Sequence, residues 1–225
     1  MTDQSLESIE LFRDLPEDAR ETLESKCRWR QCGPGEHVIN RGDELNDVNV
    51  IVSGRAQVVN YSEAGKAVDY ATLGEGDVFG ELAAIDGLPR SAWVITKSNC
   101  IIATLPGKAF IDIMTSHPAA ALALLRRLSR IIRAANDRIS DFSLLDAEQR
   151  VCLEVLRMAK PLPDQSGGLI IAEVPTQSDI GNGVGLARET VGRIMAGLKQ
   201  RKIIERKGRT LYIKDADSLH DLAMI

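Results

Sequence analysis

The run Phe79-Gly80-Glu81-Leu82-Ala83-Ala84-Ile85-Asp86-Gly87-Leu88-Pro89-Arg90-Ser91-Ala92 sets an arginine and a hydroxyl side by side, downstream of a glycine–glutamate pair. Arginine carries a permanent charge and a fixed fork of donors, which matches the oxygens of a phosphate. A cyclic phosphodiester bears one negative charge. Arg90 can neutralise it, and Ser91 and nearby backbone N–H groups can add donors, especially where Gly80 to Ala84 forms a helical turn. Glu81 is an acceptor able to take a ribose 2′-hydroxyl. Taken alone, the same residues also read as an exposed Arg–Glu pair on a turn, which is worth little.

The texture around this run is that of short strands. From Gly33 to about Thr104, β-branched segments alternate with glycine turns. The segments are His37–Ile39, Val48–Val52, Ala56–Tyr61, Ala92–Thr96 and Cys100–Leu105. Regular short strands separated by turn signals predict an antiparallel sandwich or barrel. Upstream, Ser5 to Lys26 reads as short amphipathic helix, with Pro16 at a helix start.

Downstream, Lys108 to His117 reads as a short helix, and a long one follows from about Ala119 to Phe142. Its apolar residues Leu125, Leu128, Ile132, Ala135, Ile139 and Phe142 are spaced alternately three and four apart, the seam of a two-stranded coiled coil. Arg126, Arg127, Arg130, Arg133, Asp137 and Arg138 occupy the opposite, solvent face of this reading. An ordinary helix packed on its own barrel is the alternative.

A helix from Asp146 to Lys160, a loop at 161–168 and a strand from Leu169 to Val174 lead to Thr176-Gln-Ser178-Asp-Ile-Gly-Asn-Gly-Val-Gly185-Leu-Ala187-Arg188-Glu189-Thr190-Val191-Gly192-Arg193. This reads as two helices, about Gln177–Gly183 and Ala187–Gln200, turned at Gly185. Ile203 to Ile213 then alternates in strand fashion around Lys207-Gly208-Arg209. The outline is a winged helix-turn-helix. Arg188 and Arg193 suit guanine O6 and N7, and Glu189 can accept from cytosine N4. Thr176 and Ser178 can bond phosphates at the groove edge, with Lys202, Arg206, Lys207 and Arg209 extending the backbone contacts. A solvated charged helix is the bland alternative. Gly181-Asn-Gly183-Val-Gly185 lacks the strand and βαβ context of a dinucleotide fingerprint.

The 225-residue chain has a net charge of −4, unevenly spread. Pro161 to Lys214 holds nine lysines and arginines against five acids, a local +4 that leaves −8 on the rest. A basic C-terminal module on an acidic body suits a polyanion. No apolar run is long enough to span a bilayer and Met1 to Glu10 is acidic and polar, so a cytoplasmic protein is expected. Cys27, Cys32, Cys100 and Cys152 are scattered and read as reduced thiols rather than a cluster or disulfide sensor. His37, His117 and His220 stand apart. No metal site and no catalytic pair is expected.

The run from Phe79 to Ala92 resembles the phosphate-binding cassette of cyclic-nucleotide-binding domains. The glycine turns before it match in order, and Arg188-Glu-Thr-Val-Gly-Arg193 resembles the recognition helix of the cyclic-AMP receptor protein (CRP/FNR) family. The resemblance covers nearly the whole chain. It implies an α+β fold: an N-terminal cyclic-nucleotide-binding β-roll (jelly roll) over 1–118, a long dimerisation helix and hinge over 119–145, and a C-terminal winged helix-turn-helix over 146–225. It implies that Gly80, Glu81, Leu82, Ala83, Arg90 and Ser91 hold the sugar-phosphate. Thr176, Ser178, Ala187, Arg188, Glu189, Thr190, Arg193 and Arg209 would meet double-stranded DNA.

Aligning Leu145-Asp146 with the family's hinge places Ala135 and Asn136 where the cyclic-AMP activators carry Thr-Ser. Ala135 has no hydroxyl to give adenine, whereas Asn136 offers both a donor and an acceptor. Either purine could be served there, guanine included; the resemblance implies cyclic AMP as the ligand, with cyclic GMP a close alternative. The implied protein is a homodimer binding an inverted-repeat operator with GTG- or GT-like half-sites, and RNA polymerase is a candidate partner. Two alternatives stay open. One is a family member sensing redox state, haem or another small molecule. The other is a nucleotide-binding module docking a protein partner.

Overall fold

The computed structural model describes residues 5–61, 67–162 and 168–224. In chain order the elements are α1 (Glu17–Ser25), β1 (Arg28–Cys32), β2 (His37–Ile39), β3 (Val48–Ser53), β4 (Ala56–Tyr61), β5 (Ala67–Leu73), β6 (Val78–Phe79), α2 (Glu81–Asp86), β7 (Trp93–Thr96), β8 (Cys100–Leu105), α3 (Gly107–Ser116) and α4 (Pro118–Leu144). They continue with α5 (Ala147–Met158), β9 (Lys160–Pro161), β10 (Leu169–Ile171), α6 (Gln177–Val184), α7 (Arg188–Gln200), β11 (Ile204–Lys207), β12 (Thr210–Ile213) and α8 (Ala216–Ala223). The chain forms two compact units, Met1–Ile132 and Arg133–Ile225, with the boundary inside α4.

The first unit is a β-roll of two antiparallel sheets, ordered β1-β8-β3-β6 and β2-β7-β4-β5. One side chain from nearly every strand points between the sheets, giving a core of Cys32, Ile39, Ile51, Ala56, Leu73, Phe79, Val94, Cys100 and Ile102. The opposite face of the first sheet is also covered. Val48, Val50, Ala103 and Leu105 pack there against Phe110 and Met114 of α3, Leu124 of α4 and the N-terminal segment. Strands β3 and β8 thus bury both faces, which explains why they read as unbroken apolar runs rather than alternating ones. Fully burying a side chain such as Phe110 or Leu105 contributes about 1.5–3 kcal/mol.

The N-terminal segment corrects the sequence reading. Only Glu17–Ser25 is helical, starting after Pro16 as expected. Before it, Leu6, Ile9, Phe12 and Leu15 sit at intervals of three because successive turns are closed by amide-to-carbonyl bonds at that spacing (2.9–3.2 Å). That period buries all four, and it mimics a helical face in the sequence. The strand expected from Leu169 to Val174 ends at Ile171 in a turn. Strands β1, β5, β6 and β9 and helix α8 carried no sequence signal strong enough to be read.

The second unit packs α5, α6, α7 and α8 on the sheet β11-β12-β10-β9, around Val151, Val155, Ile180, Val191, Leu198 and Leu211. Asp146 caps α5 in a reciprocal box: its carboxylate accepts from the Gln149 amide at 2.9 Å, and Gln149 Oε1 accepts from the Asp146 amide at 2.8 Å. This capping box sets where α5 begins after α4.

Candidate functional site

Gly80 opens the cassette. Its φ of +82° suits only glycine, and a Cβ there would lie 2.6 Å from Arg90 Nη1. The turn swings the chain into α2, so Glu81 enters the interior and is 7% exposed. Arg90 returns to the same place and is 6% exposed. Its Nη1 donates to the Gly80 carbonyl at 2.7 Å and its Nη2 to the Asp47 carbonyl at 2.6 Å. Its backbone is fixed on both sides by the 42–43 turn: the Arg90 amide donates to the Asp43 carbonyl, and the Gly42 amide donates to the Arg90 carbonyl, each at 2.9 Å.

Electrostatics follow from this burial. Desolvation raises the Glu81 carboxyl above the usual carboxylate range, opposed by its own backbone amide and by Arg127 and Arg90. Desolvation lowers the Arg90 guanidinium, opposed by Asp47, Asp43 and Glu81. The site is a buried cation and a buried acid within one cassette, while Ser91 and Leu82 are exposed at its rim and Ala83 packs inward. The exposed Arg–Glu turn that the residues alone left open is thereby excluded. No local pattern pointed to the Asp47 and Asp43 contacts, because they depend on the 42–47 loop folding against Arg90.

On α4, Leu125, Ile132 and Ile139 are 60%, 60% and 63% exposed, and Ala135 and Asn136 are also exposed. Two seam residues do more than the periodicity indicated. Leu128 is half-buried against the core of its own roll. Phe142 lies under the Arg150 guanidinium at 5.5 Å and against Gly185, whose φ of +70° makes the α6–α7 turn. Arg127 corrects the expected solvent face. Its Nη1 pairs with Asp77 Oδ1 and its Nη2 donates to the Val78 carbonyl, both at 2.8 Å, tying α4 to the strand that enters the cassette.

In the second unit, Ala187, Arg188, Glu189 and Arg193 are exposed along the start of α7, with Thr190 half-buried beside them. Ala187 occupies the N-cap position without a side-chain acceptor. The Thr176 hydroxyl differs from expectation. It accepts from the Asp179 amide at 3.1 Å and donates to Asp179 Oδ2 at 2.7 Å, so it caps α6. Ser178 is exposed one residue into the helix after Gln177. The wing turn holds Arg209, 82% exposed and 3.7 Å from Glu173. Lys207 and Lys214 flank Glu205 at 3.4 and 3.1 Å. Those pairs are exposed, so a polyanion can displace them at small cost. Helix α6 runs unbroken through Gly183, at which a Cβ would meet only Glu154 Oε1 at 3.9 Å.

Known proteins carry the same two modules. Residues 29–117 match the family described as cyclic nucleotide-binding domain, and residues 149–222 match the Crp-like helix-turn-helix domain. The cAMP-activated global transcriptional regulator CRP of Salmonella typhimurium is 30% identical over 193 residues, 84% of this chain and 90% of that protein. A CRP-like cAMP-activated global transcriptional regulator of Mycobacterium tuberculosis is 26% identical over 218 residues, 96% of this chain and 97% of its own length. Among solved structures, CooA from Carboxydothermus hydrogenoformans superposes with a TM-score of 0.81 over 96% of both chains at 20% identity. With a cyclic-nucleotide-type cassette on a β-roll and an exposed recognition helix on a Crp-like module, the chain belongs to the CRP/FNR family of DNA-binding transcription regulators.

Proposed function

We propose that this regulator responds to a cyclic nucleotide, acts as a homodimer in the cytoplasm and binds an inverted-repeat operator. The carrying observation is the buried Arg90 beside the buried Glu81, with the exposed Ser91 hydroxyl adjoining them. A guanidinium has five N–H donors, and two of its nitrogens already serve the Gly80 and Asp47 carbonyls. A ring-closed phosphate monoanion approaching this site either takes the remaining donors or displaces those carbonyls. Ser91 adds a donor, and Glu81 accepts from the ribose hydroxyl. Gly80, Leu82 and Ala83 shape the wall.

Homodimerisation is supported by Leu125, Ile132 and Ile139. Each is a large apolar side chain more than half exposed, at the alternating spacing of a two-stranded seam. Ala135 and Asn136 are assigned to the base from α4, with Asn136 as the hydrogen-bonding group. A contact there shifts the equilibrium between packings of the seam only to the extent that it differs between them. A symmetric pair of α7 helices then reads two half-sites one DNA turn apart, through Arg188, Glu189, Thr190 and Arg193. Ala187, Ser178 and Arg209 line the phosphates, while Thr176 acts only by capping α6.

A second reading keeps the DNA module and gives the roll a different signal. It draws on solved relatives: CLP of Xanthomonas campestris is described as c-di-GMP responsive, and CprK was solved complexed with OCPA. Titration calorimetry with cyclic AMP and cyclic GMP separates the two readings. Saturable heat with either nucleotide, abolished in Arg90→Leu, is expected; no heat with either overturns the cyclic-nucleotide reading. Gel shifts across a salt series test the DNA partner independently, since phosphate contacts make binding fall steeply with salt.

A further inference from the structure

Strand β4 alternates regularly against β7: Ala56 pairs Thr96, Val58 pairs Val94, and Val59 pairs Trp93. Ala56, Val58 and Val94 belong to the core between the sheets. Alternation therefore puts Asn60, two residues on, on the same inward face near the end of β4, and puts Tyr61 and Trp93 on the other. The β4–β5 register shifts between Val58 and Val59, and this makes Tyr70 the extra residue of a bulge. Bulges commonly re-aim a side chain beside a functional site. Here Asn60 Nδ2 donates to the Tyr70 hydroxyl at 2.9 Å, while Arg41 Nη1 donates to Asn60 Oδ1 at 2.9 Å. The Arg41 guanidinium also lies 5.9 Å from the centre of the Trp93 ring.

Arg41 directly precedes the Gly42–Asp43 turn that clamps the backbone of Arg90. The cassette arginine and this second guanidinium are thus carried by segments hydrogen-bonded to one another. Nothing in the packing of the roll needs the second one, because Arg41 is exposed. What it adds is a donor fork held by the Asn60 amide on one side and beside the Trp93 ring on the other, one residue from the turn bonded to the Arg90 backbone. Guanine presents two acceptors, O6 and N7, on one edge and suits such a fork. Adenine presents one acceptor and one donor there.

We propose that Arg41, tethered by Asn60, which Tyr70 holds in turn, reads the purine edge of the bound nucleotide and selects guanine over adenine. This rests on the cyclic-nucleotide reading of the Arg90 cassette and extends it from ligand class to base identity. Arg41 acts from the roll, independently of Asn136 on α4.

The test is titration calorimetry of cyclic GMP and cyclic AMP with the full chain and with Arg41→Ala, Arg41→Lys and Arg90→Leu. The unsubstituted protein is expected to prefer cyclic GMP by roughly tenfold or more. Arg41→Ala is expected to remove most of that preference, chiefly by weakening cyclic GMP, with cyclic AMP changing less than about threefold. Arg41→Lys keeps the charge but not the fork, so it should recover little of the preference. A preference for cyclic AMP in the unsubstituted protein overturns the proposal, as does an equal loss for both nucleotides in Arg41→Ala. Absence of binding to either nucleotide overturns the parent reading instead, and Arg90→Leu marks that case, since its effect should not distinguish the bases.

Discussion

Arg90 Nη1 donates to the carbonyl of Gly80 at 2.7 Å, so the two ends of the cassette are joined by the group that would bind the ligand. With Nη2 on the Asp47 carbonyl, the same side chain holds the cassette to the loop before β3. On the proposed function one residue carries both structure and ligand response, and substitutions at it can separate the two.

Arg90→Leu leaves two carbonyls without their donors in a buried site, which should cost about 1–3 kcal/mol of stability in addition to ligand affinity. Arg90→Lys keeps the charge and at least one donor, so it should recover much of the stability but little of the affinity. Thermal unfolding paired with calorimetry checks this. Equal loss of stability in both variants would show that the fork, rather than the charge, holds the cassette.

The glycines of α6 should behave oppositely. A Cβ at Gly181 would sit 2.6 Å from the Leu186 carbonyl, so Gly181→Ala must push α6 off the turn, at roughly 1–3 kcal/mol. A Cβ at Gly183 meets only Glu154 Oε1 at 3.9 Å, so Gly183→Ala should stabilise the helix by about 0.5–1 kcal/mol. Denaturant midpoints of the two variants give the comparison directly.

Arg188→Ala should cost about 1–3 kcal/mol of operator affinity and relax base preference at one position. Arg209→Ala, at the exposed wing, should weaken all sequences alike and reduce the salt slope by about one. Binding to a randomised operator library distinguishes the patterns, and a uniform loss in Arg188→Ala would make it a phosphate contact.

Ile132→Glu together with Ile139→Glu should give a monomer in sedimentation, because both side chains are more than half exposed in the single chain and have no core role there. The fold of each unit should survive, as seen by circular dichroism. A dimer persisting in this variant would move the interface off the α4 seam.

A buried carboxyl and a half-buried thiol make stability depend on pH. Burial raises Glu81, so the folded state binds its proton more tightly than the unfolded chain. Its contribution is fullest in acid and is lost as pH rises through the folded value; Glu81→Gln should be the more stable form at neutral pH, with the gap closing in acid. Burial, with Glu24 adding, pushes the Cys27 thiol up from 9.0 to about 12. Stability should then fall between about pH 9 and 12, less steeply in Cys27→Ala. A pH-independent difference in either pair counts against these assignments.

The legible parts of this chain were those with local causes. The glycine turns, the β-branched runs of β3, β4 and β8 and the three–four spacing of α4 each act within a few residues. Short strands such as β6, with two residues, exist only because a neighbour pairs with them. The Leu6–Leu15 turns passed for a helix because burial at every third residue resembles a helical stripe over so short a span.

Sequence by itself determined the two-module outline, through periodicity, turn chemistry and basic residues clustered along the chain, while the 79–92 run is identified as a cassette by its resemblance to a known family. Only the tertiary structure decided that Arg90 is tied to Asp47, that Arg127 leaves the solvent face for Asp77 and Val78, and that Arg41, Asn60 and Tyr70 meet in one hydrogen-bonded chain. These contacts join residues from ten to fifty positions apart. The free energy that fixes them comes from burying the sheets against each other, a sum over the whole core that no short window of sequence contains.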